Sequence, residues 1–203
     1  MTTPSCDLDS RRLRAAIRAM YTRVVTDPQG TFHFHRGPEY AAAVLGYNAA
    51  ALTTLPPEVT TAFSGIGNPL RVAALRTGMT IVDVGCGAGL DLLLAARAVG
   101  PSGRAIGIEM TAPMAAHARR GADAAGLENV AVLSGDAVAL PIETESVDVV
   151  ISNGVLNLVP EKDTAAREMY RVLTAGGALC LSDIALASAV SDDARRDIDL
   201  WTA

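Results

Sequence analysis

From Met79 onward the chain alternates short unbroken aliphatic runs with longer stretches in which apolar residues return every three or four positions. The runs MTIVDVG, RAIGIE, VAVLSG, VDVVIS and GGALCLSDI have strand length and stay apolar at successive positions, as strands do when both faces are covered. Helical stretches lie between them: residues 89 to 99, ending at Gly100; 112 to 125, with Thr111 as cap and Gly126 as stop; and 161 to 173, ending at Gly176 and Gly177. Strand and helix alternating at this spacing demand crossover connections. The pattern therefore predicts an α/β fold, a parallel sheet with helices on both faces.

Upstream the pattern differs. Leu13, Ile17, Met20 and Val24 recur at helical spacing after the Asp9/Ser10 cap signal, which predicts an amphipathic helix over residues 10 to 26. Residues 27 to 69 are rich in Pro, Gly and Thr and predict an irregular cap with one short helical piece around Tyr40 to Leu45. The expected division is an N-terminal helix and cap over residues 1–75 and a core over residues 76–203.

Composition narrows the class. Half of the 203 residues are hydrophobic, enough to bury a core, yet only 4% are aromatic, so helices should pack closely on an aliphatic sheet. No apolar run approaches the roughly 20 residues that span a bilayer. The polar start MTTPSCDLDSRR does not read as a secretion signal, so the expected location is the cytoplasm, away from membranes. A net charge of −5 with scattered basic residues, apart from Arg11, Arg12 and Arg14, argues against a nucleic-acid partner. Cys6, Cys86 and Cys180 are far apart with no paired spacing, so neither a disulfide framework nor a metal site is expected.

The candidate chemistry lies at the strand ends. VDVGCGAGLD leaves the first strand and opens a helix, and Gly85, Gly87 and Gly89 allow the bend and the close approach that a bound ligand needs. Cys86 falls inside this loop. A dinucleotide would set its pyrophosphate on the helix N-terminus, whereas this loop is flanked by Asp83 and Asp91, which repel pyrophosphate and suit a cationic ligand carrying an amino-acid group. Glu109 ends the second strand about 20 residues beyond the loop, the position from which an acid accepts both ribose hydroxyls. Met110 is placed to lie on an adenine face or to pack in the core. Asp136 in SGDA accepts from an adenine amino group while Ala137 offers its amide, or else caps a turn.

Together these residues resemble the class I S-adenosylmethionine-dependent methyltransferases, with VDVGCGAG as the glycine loop, Glu109 as the ribose acid, GDA as the adenine contact and VDVVISNGVLNLV as the fourth strand and its loop. The likeness covers Gly78 to Ile184. It implies a Rossmann-like methyltransferase sheet, S-adenosylmethionine as cofactor and a small-molecule methyl acceptor as partner. GNPLRVAAL, GAGLDLLLAARAVGPSGRAIGIEMT and ISNGVLNLVPEKD further resemble the arsenite methyltransferase branch and extend the likeness back to about Leu45. Members of that branch carry a cysteine where this sequence has Gly154, one of the thiolates that hold trivalent arsenic. A thiophilic metalloid wants soft ligands, and Cys86 in the loop, Cys180 on a strand and Cys6 in the tail match none of those positions.

On the acceptor side, Gly154 is expected to widen the space before the transferred methyl group for a different small acceptor, or to be a simple turn residue. Asn153 and Asn157 are candidate substrate contacts; Asn153 equally suits the cofactor or its own turn, and Asn157 equally suits a cap of the next helix. His33 and His35 alternate as on an extended segment and are the candidate general bases for a hydroxyl or amine acceptor, with ordinary surface residues as the alternative. Phe32, Phe34, Tyr40 and Tyr47 suit a lid over the sulfonium or simple packing of the cap.

The methyltransferase sheet usually adds two strands after the fifth, and this sequence does not reach them. The fifth strand is therefore expected to be an aliphatic edge covered by further chain or by a partner subunit, as in a homodimer, unless the fold departs from the family here. The expected function is methyl transfer to a small molecule by in-line displacement. Three rival readings stand beside it: arsenite methylation with thiols from glutathione or further sequence, a non-catalytic cofactor-binding module, and a nicotinamide enzyme.

Overall fold

The computed structural model describes residues 8–188 and 190–202, so Cys6 lies outside the described residues. The chain opens with α1 (Ser10–Thr26), capped by the Asp9 carboxylate, which accepts from the amides of Arg11 and Arg12. The buried stripe of α1 is Leu13, Ile17 and Val24, with Met20 half-buried beside it.

The following cap is more helical than its composition predicts. It contains α2 (Gly37–Ala43), α3 (Ala49–Leu52) and α4 (Pro57–Thr61), and ends in a 3₁₀ turn over Pro69–Arg71. The prolines do not break these helices because they stand in the first turn, where a missing N–H costs no intrahelical bond. Asn48 starts α3 by accepting from the Ala51 amide.

The core then runs β1 (Thr80–Val84), α5 (Leu90–Val99), β2 (Arg104–Glu109), α6 (Ala112–Ala124), β3 (Val130–Ser134), β4 (Val147–Asn153), a 3₁₀ turn at Leu156–Leu158, α7 (Lys162–Val172), β5 (Leu173–Ser182), α8 (Asp192–Arg196) and α9 (Ile198–Thr202). The strands form one parallel sheet in the order β3-β2-β1-β4-β5, the α/β arrangement that the alternation predicts. Strand side chains alternate between faces. Ile81, Val149 and Ile151 enter one apolar layer with α5 and the cap, while Val82, Val84, Ile106, Ile108 and Val150 enter another with Met169 and Val172 of α7.

One boundary is corrected. α7 stops at Val172 and β5 begins at the next residue, so Gly176 and Gly177 lie inside the strand instead of ending the helix. The pairing jumps from Leu173 opposite Val147 to Ala178 opposite Val149, and Gly176 takes a positive φ within that irregularity. Among the described residues β5 is an edge of the sheet, with Leu179 40% and Leu181 38% exposed. No helix among the described residues is long and apolar enough to cross a membrane.

The strand order reverses between β1 and β4. In an open α/β sheet that reversal leaves a crevice beyond the carboxyl ends of the strands, and this is where the candidate residues collect.

Candidate active site

A cleft of about 1040 Å³, part of it open to solvent, lies at this end of the sheet. Its floor is the loop from Gly85 to Gly89, which turns with three positive φ values, 73° at Gly85, 54° at Gly87 and 100° at Gly89. The amides of Gly85 and Cys86 bond to Ile108 O, and the amide of Gly87 donates to Glu109 Oε2 at 3.0 Å. The loop is thereby tied to the end of β2. Glu109 Oε1 accepts from Thr111 N at 2.7 Å, which fixes the start of α6 to the same carboxylate.

Three carboxylates meet here almost out of water: Asp83 at 2% exposure, Asp91 at 6% and Glu109 at 7%. Burial is the leading cause that pushes all three up from the ordinary carboxylate range, Asp91 to about 6; on Asp83 the charges of Asp91 and Glu109 push in the same direction. Asp83 Oδ2 is buried and has no hydrogen-bond partner among the described residues. Arg14 is the basic side chain among those lining the cleft, and it is committed elsewhere. The cleft therefore carries negative charge that no described side chain neutralises.

Asp91 is held from two directions, by the Tyr47 hydroxyl at 2.6 Å and by Asn153 Nδ2 at 2.9 Å. The remaining polar capacity of Asn153 goes to the cap, so this residue of the sequence-derived site is fully engaged by the protein itself. Met110 and Ala137 line the cleft. Asp136 lines it too, and its two oxygens are divided: Oδ1 accepts from Val138 N at 3.2 Å as a turn cap, and Oδ2 pairs with Arg14 Nε at 2.8 Å. Arg14 also reaches Glu161 Oε2 at 3.0 Å. With Ile17 and Tyr21, it makes α1 a roof over the cleft. Burial, followed by Glu109 and Asp183, raises the Tyr21 phenol to about 12, so it stays protonated near neutral pH.

Gly154 lines the cleft with φ +71°, a backbone conformation that favours glycine. The expected widening is corrected here. A Cβ at this position would point at Ile66, 3.3 Å from Cγ1, so the space beside Gly154 is filled by a cap side chain instead of standing open. Asn157 is also corrected. It does not line the cleft; it belongs to the 3₁₀ turn at Leu156–Leu158, where its side-chain nitrogen, turned toward its acceptors, reaches Gly154 O at 3.0 Å and Asp183 Oδ1 at 3.2 Å. Asp183 in turn accepts from the amides of Leu156 and Asn157 at 2.7 and 3.0 Å.

The segment bends at His33 and Phe34 instead of running extended; both His33 and His35 face solvent, packing against Phe34 and Tyr40, and neither lines the cleft. The intervening Phe32 and Phe34 take the inner side, against Val24, Ala88 and Met114, so the apolar alternation wins the buried face. Cys86 is buried in the cleft wall, with its thiol pushed well up, mainly by burial, and Cys180 is buried on β5. Such thiols are protonated and poor ligands.

Sequence reasoning missed Arg14, Tyr21, Ile66 and Asp183. Arg14 and Tyr21 flank the buried stripe of α1 at spacings of three and four from Ile17, the only local signal they leave.

A methyltransferase domain family model matches residues 75–201. An arsenite methyltransferase from Halobacterium salinarum is 44% identical over 138 residues, 68% of this chain and 35% of that protein. Another from Aquipseudomonas alcaligenes is 37% identical over 157 residues, 74% of this chain and 45% of that protein. The chain thus spans less than half the length of these relatives. An arsenic(III) S-adenosylmethionine methyltransferase structure from Chlamydomonas reinhardtii superposes with a TM-score of 0.67 at 36% identity, over 72% of this chain and 51% of that one. With the parallel sheet, the glycine loop and the acidic strand ends already in place, the chain belongs to the methyltransferase domain family, in its class I, arsenite methyltransferase-like branch.

Proposed function

We propose that the chain binds S-adenosylmethionine in this cleft and passes its methyl group to a small-molecule acceptor by in-line displacement. The observation that carries the reading is the unpartnered, buried Oδ2 of Asp83 beside Asp91 and Glu109. A cationic amino-acid group would supply the missing partner and offset the buried negative charge. Glu109, fixed by the Gly87 and Thr111 amides, would take the ribose hydroxyls, and Met110, Asp136 and Ala137 would flank the adenine. The bound cofactor would supply an electrophilic methyl group on a sulfonium.

The chain's own contribution to such a reaction is alignment and exclusion of water. The Gly85–Gly89 loop fixes the floor, α1 closes the roof through Arg14, and Gly154, backed by Ile66, forms part of the wall. With the histidines turned to solvent, they leave the proposal, and an acceptor that is already anionic or soft would need no general base.

Calorimetric titration with S-adenosylhomocysteine, run beside NAD as control, tests the reading. Saturable heat with the former and none with the latter is expected; a folded protein that binds neither overturns it. Arsenite remains the second reading for the acceptor, favoured by the relatives' identity and requiring thiols from outside the described residues, such as glutathione. Arsenite-dependent consumption of S-adenosylmethionine by the purified protein would establish it.

A further inference from the structure

Asn153 sits at the end of β4 with no hydrogen-bonding capacity to spare. Its Oδ1 accepts from Ile66 N at 2.9 Å and Gly67 N at 3.1 Å, and its Nδ2 faces Gly67 O at 2.8 Å, Asp91 Oδ2 at 2.9 Å and Tyr47 Oη at 3.2 Å. One amide thus joins a cleft carboxylate on α5 to a cap segment 87 residues earlier in the chain. The cap approaches closely because residue 65 is glycine: a Cβ there would run into Asn153 Nδ2 and the Phe63 ring.

We propose that Asn153 is a positioning residue that relays cofactor occupancy from Asp91 to the cap segment Ile66–Gly67, so that the cofactor fixes the packing of Ile66 behind Gly154 before the acceptor enters. The inference rests on the cofactor reading above. A cationic group docking between Asp83 and Asp91 favours the ionised form of Asp91. An ionised carboxylate accepts stronger hydrogen bonds than a protonated one. The Nδ2–H bond to Asp91 then tightens, the amide plane of Asn153 is fixed, and its Oδ1 is held on the two cap amides. Ile66, carried by this segment, is the side chain that packs on Gly154. A direct ligand contact by Asn153 would have to break one of these bonds; the relay breaks none.

The coupling is reciprocal by linkage, so it can be read from either end. Hydrogen exchange of the Ile66 and Gly67 amides is measured at pH 5, where Asp91, raised to about 6, is mostly protonated without ligand, in the wild-type chain with and without saturating S-adenosylhomocysteine. The relay predicts slowing of about tenfold on binding. In Asn153→Ala the link between Asp91 and the two cap amides is cut, so the ligand-dependent slowing should fall below about twofold. A merely structural role would loosen the amides equally with and without ligand. Should Asn153→Ala fail to fold, Asn153→Ser, too short to span both ends, is read by titration, and an affinity lower by about the same tenfold factor is expected. Binding by the wild-type chain without slowing at Ile66 and Gly67 overturns the relay alone. No binding at all overturns the cofactor reading, and the relay with it.

Discussion

Arg14 and Asp136, 122 residues apart, share a 2.8 Å ion pair that pins the first helix to the turn after β3. The same guanidinium reaches Glu161 beyond β4 at 3.0 Å, and Ser10 Oγ donates to that carboxylate at 3.2 Å. α1 is thus latched at both rims of the cleft by partly exposed polar contacts, each worth about 1 kcal/mol or less. Arg14→Gln should lower stability by about 1 kcal/mol and speed release of S-adenosylhomocysteine several-fold, as measured by thermal melting and stopped-flow displacement. High salt should mimic the substitution. An unchanged dissociation rate would show that ligand exchange does not require α1 to move.

The acid cluster predicts a pH dependence with a definite sign. Burial raises Asp91 to about 6 in the folded chain against an ordinary value of 3.8, and raises Asp83 and Glu109 in the same direction. The folded state therefore holds protons that the unfolded state has released, and the unliganded protein loses stability as pH rises from about 4 through about 6. A cationic ligand reverses the preference. Affinity for S-adenosylhomocysteine should rise between pH 5 and 7, and binding at pH 6 should release protons, seen as a buffer-dependent heat in calorimetry. Affinity that is flat across this range would mean that the ligand's cation does not meet these carboxylates.

Asp83→Asn removes a buried carboxyl whose Oδ2 has no partner among the described residues and whose ionisation is disfavoured by burial and by the charges of Asp91 and Glu109. The unliganded protein should become more stable, by about 1–2 kcal/mol, while affinity for S-adenosylhomocysteine falls at least tenfold. The two effects have opposite signs, the pattern of a residue kept for function. A melting temperature that drops together with binding would assign Asp83 to the core instead.

Leu179 and Leu181 leave apolar surface on the edge strand β5. Such edges recruit other strands. Leu181→Lys should reduce concentration-dependent association in light scattering and leave cofactor affinity unchanged, since Leu181 does not line the cleft. Association that survives the change would place the contact elsewhere.

His33 and His35 lie on the outer side of the cap. The double substitution to alanine should leave affinity for S-adenosylhomocysteine within about twofold and stability within about 0.5 kcal/mol. A large loss in either would return them to the site.

How much of this was legible in the chain differs by element. The five strands could be read because continuous aliphatic runs of that length have few other uses, and the carboxylates could be read because Asp83 and Glu109 stand toward strand ends fixed by that pattern and Asp91 opens the helix after the glycine loop. The cap could not. α2, α3 and α4 are four to seven residues long, too short to leave a periodicity, and they are stable only through packing such as that of Val59 and Leu52 in the core. The site's partners were hidden for a related reason. Tyr47 with Asp91, Ile66 with Asn153 and Arg14 with Asp136 are contacts across 44, 87 and 122 residues, and no local spacing encodes them. The histidines misled because alternation says which residues share a side, not which side faces inward; Phe32 and Phe34 decided that.

The meeting of Ile66 with the left-handed Gly154 makes these two positions a single unit of variation. Any side chain introduced at 154, a thiol included, meets backbone strain and an occupied volume together. A route from this wall to one bearing a new functional group therefore runs first through a smaller residue at 66, and libraries built to change what the cleft accepts should vary the pair jointly.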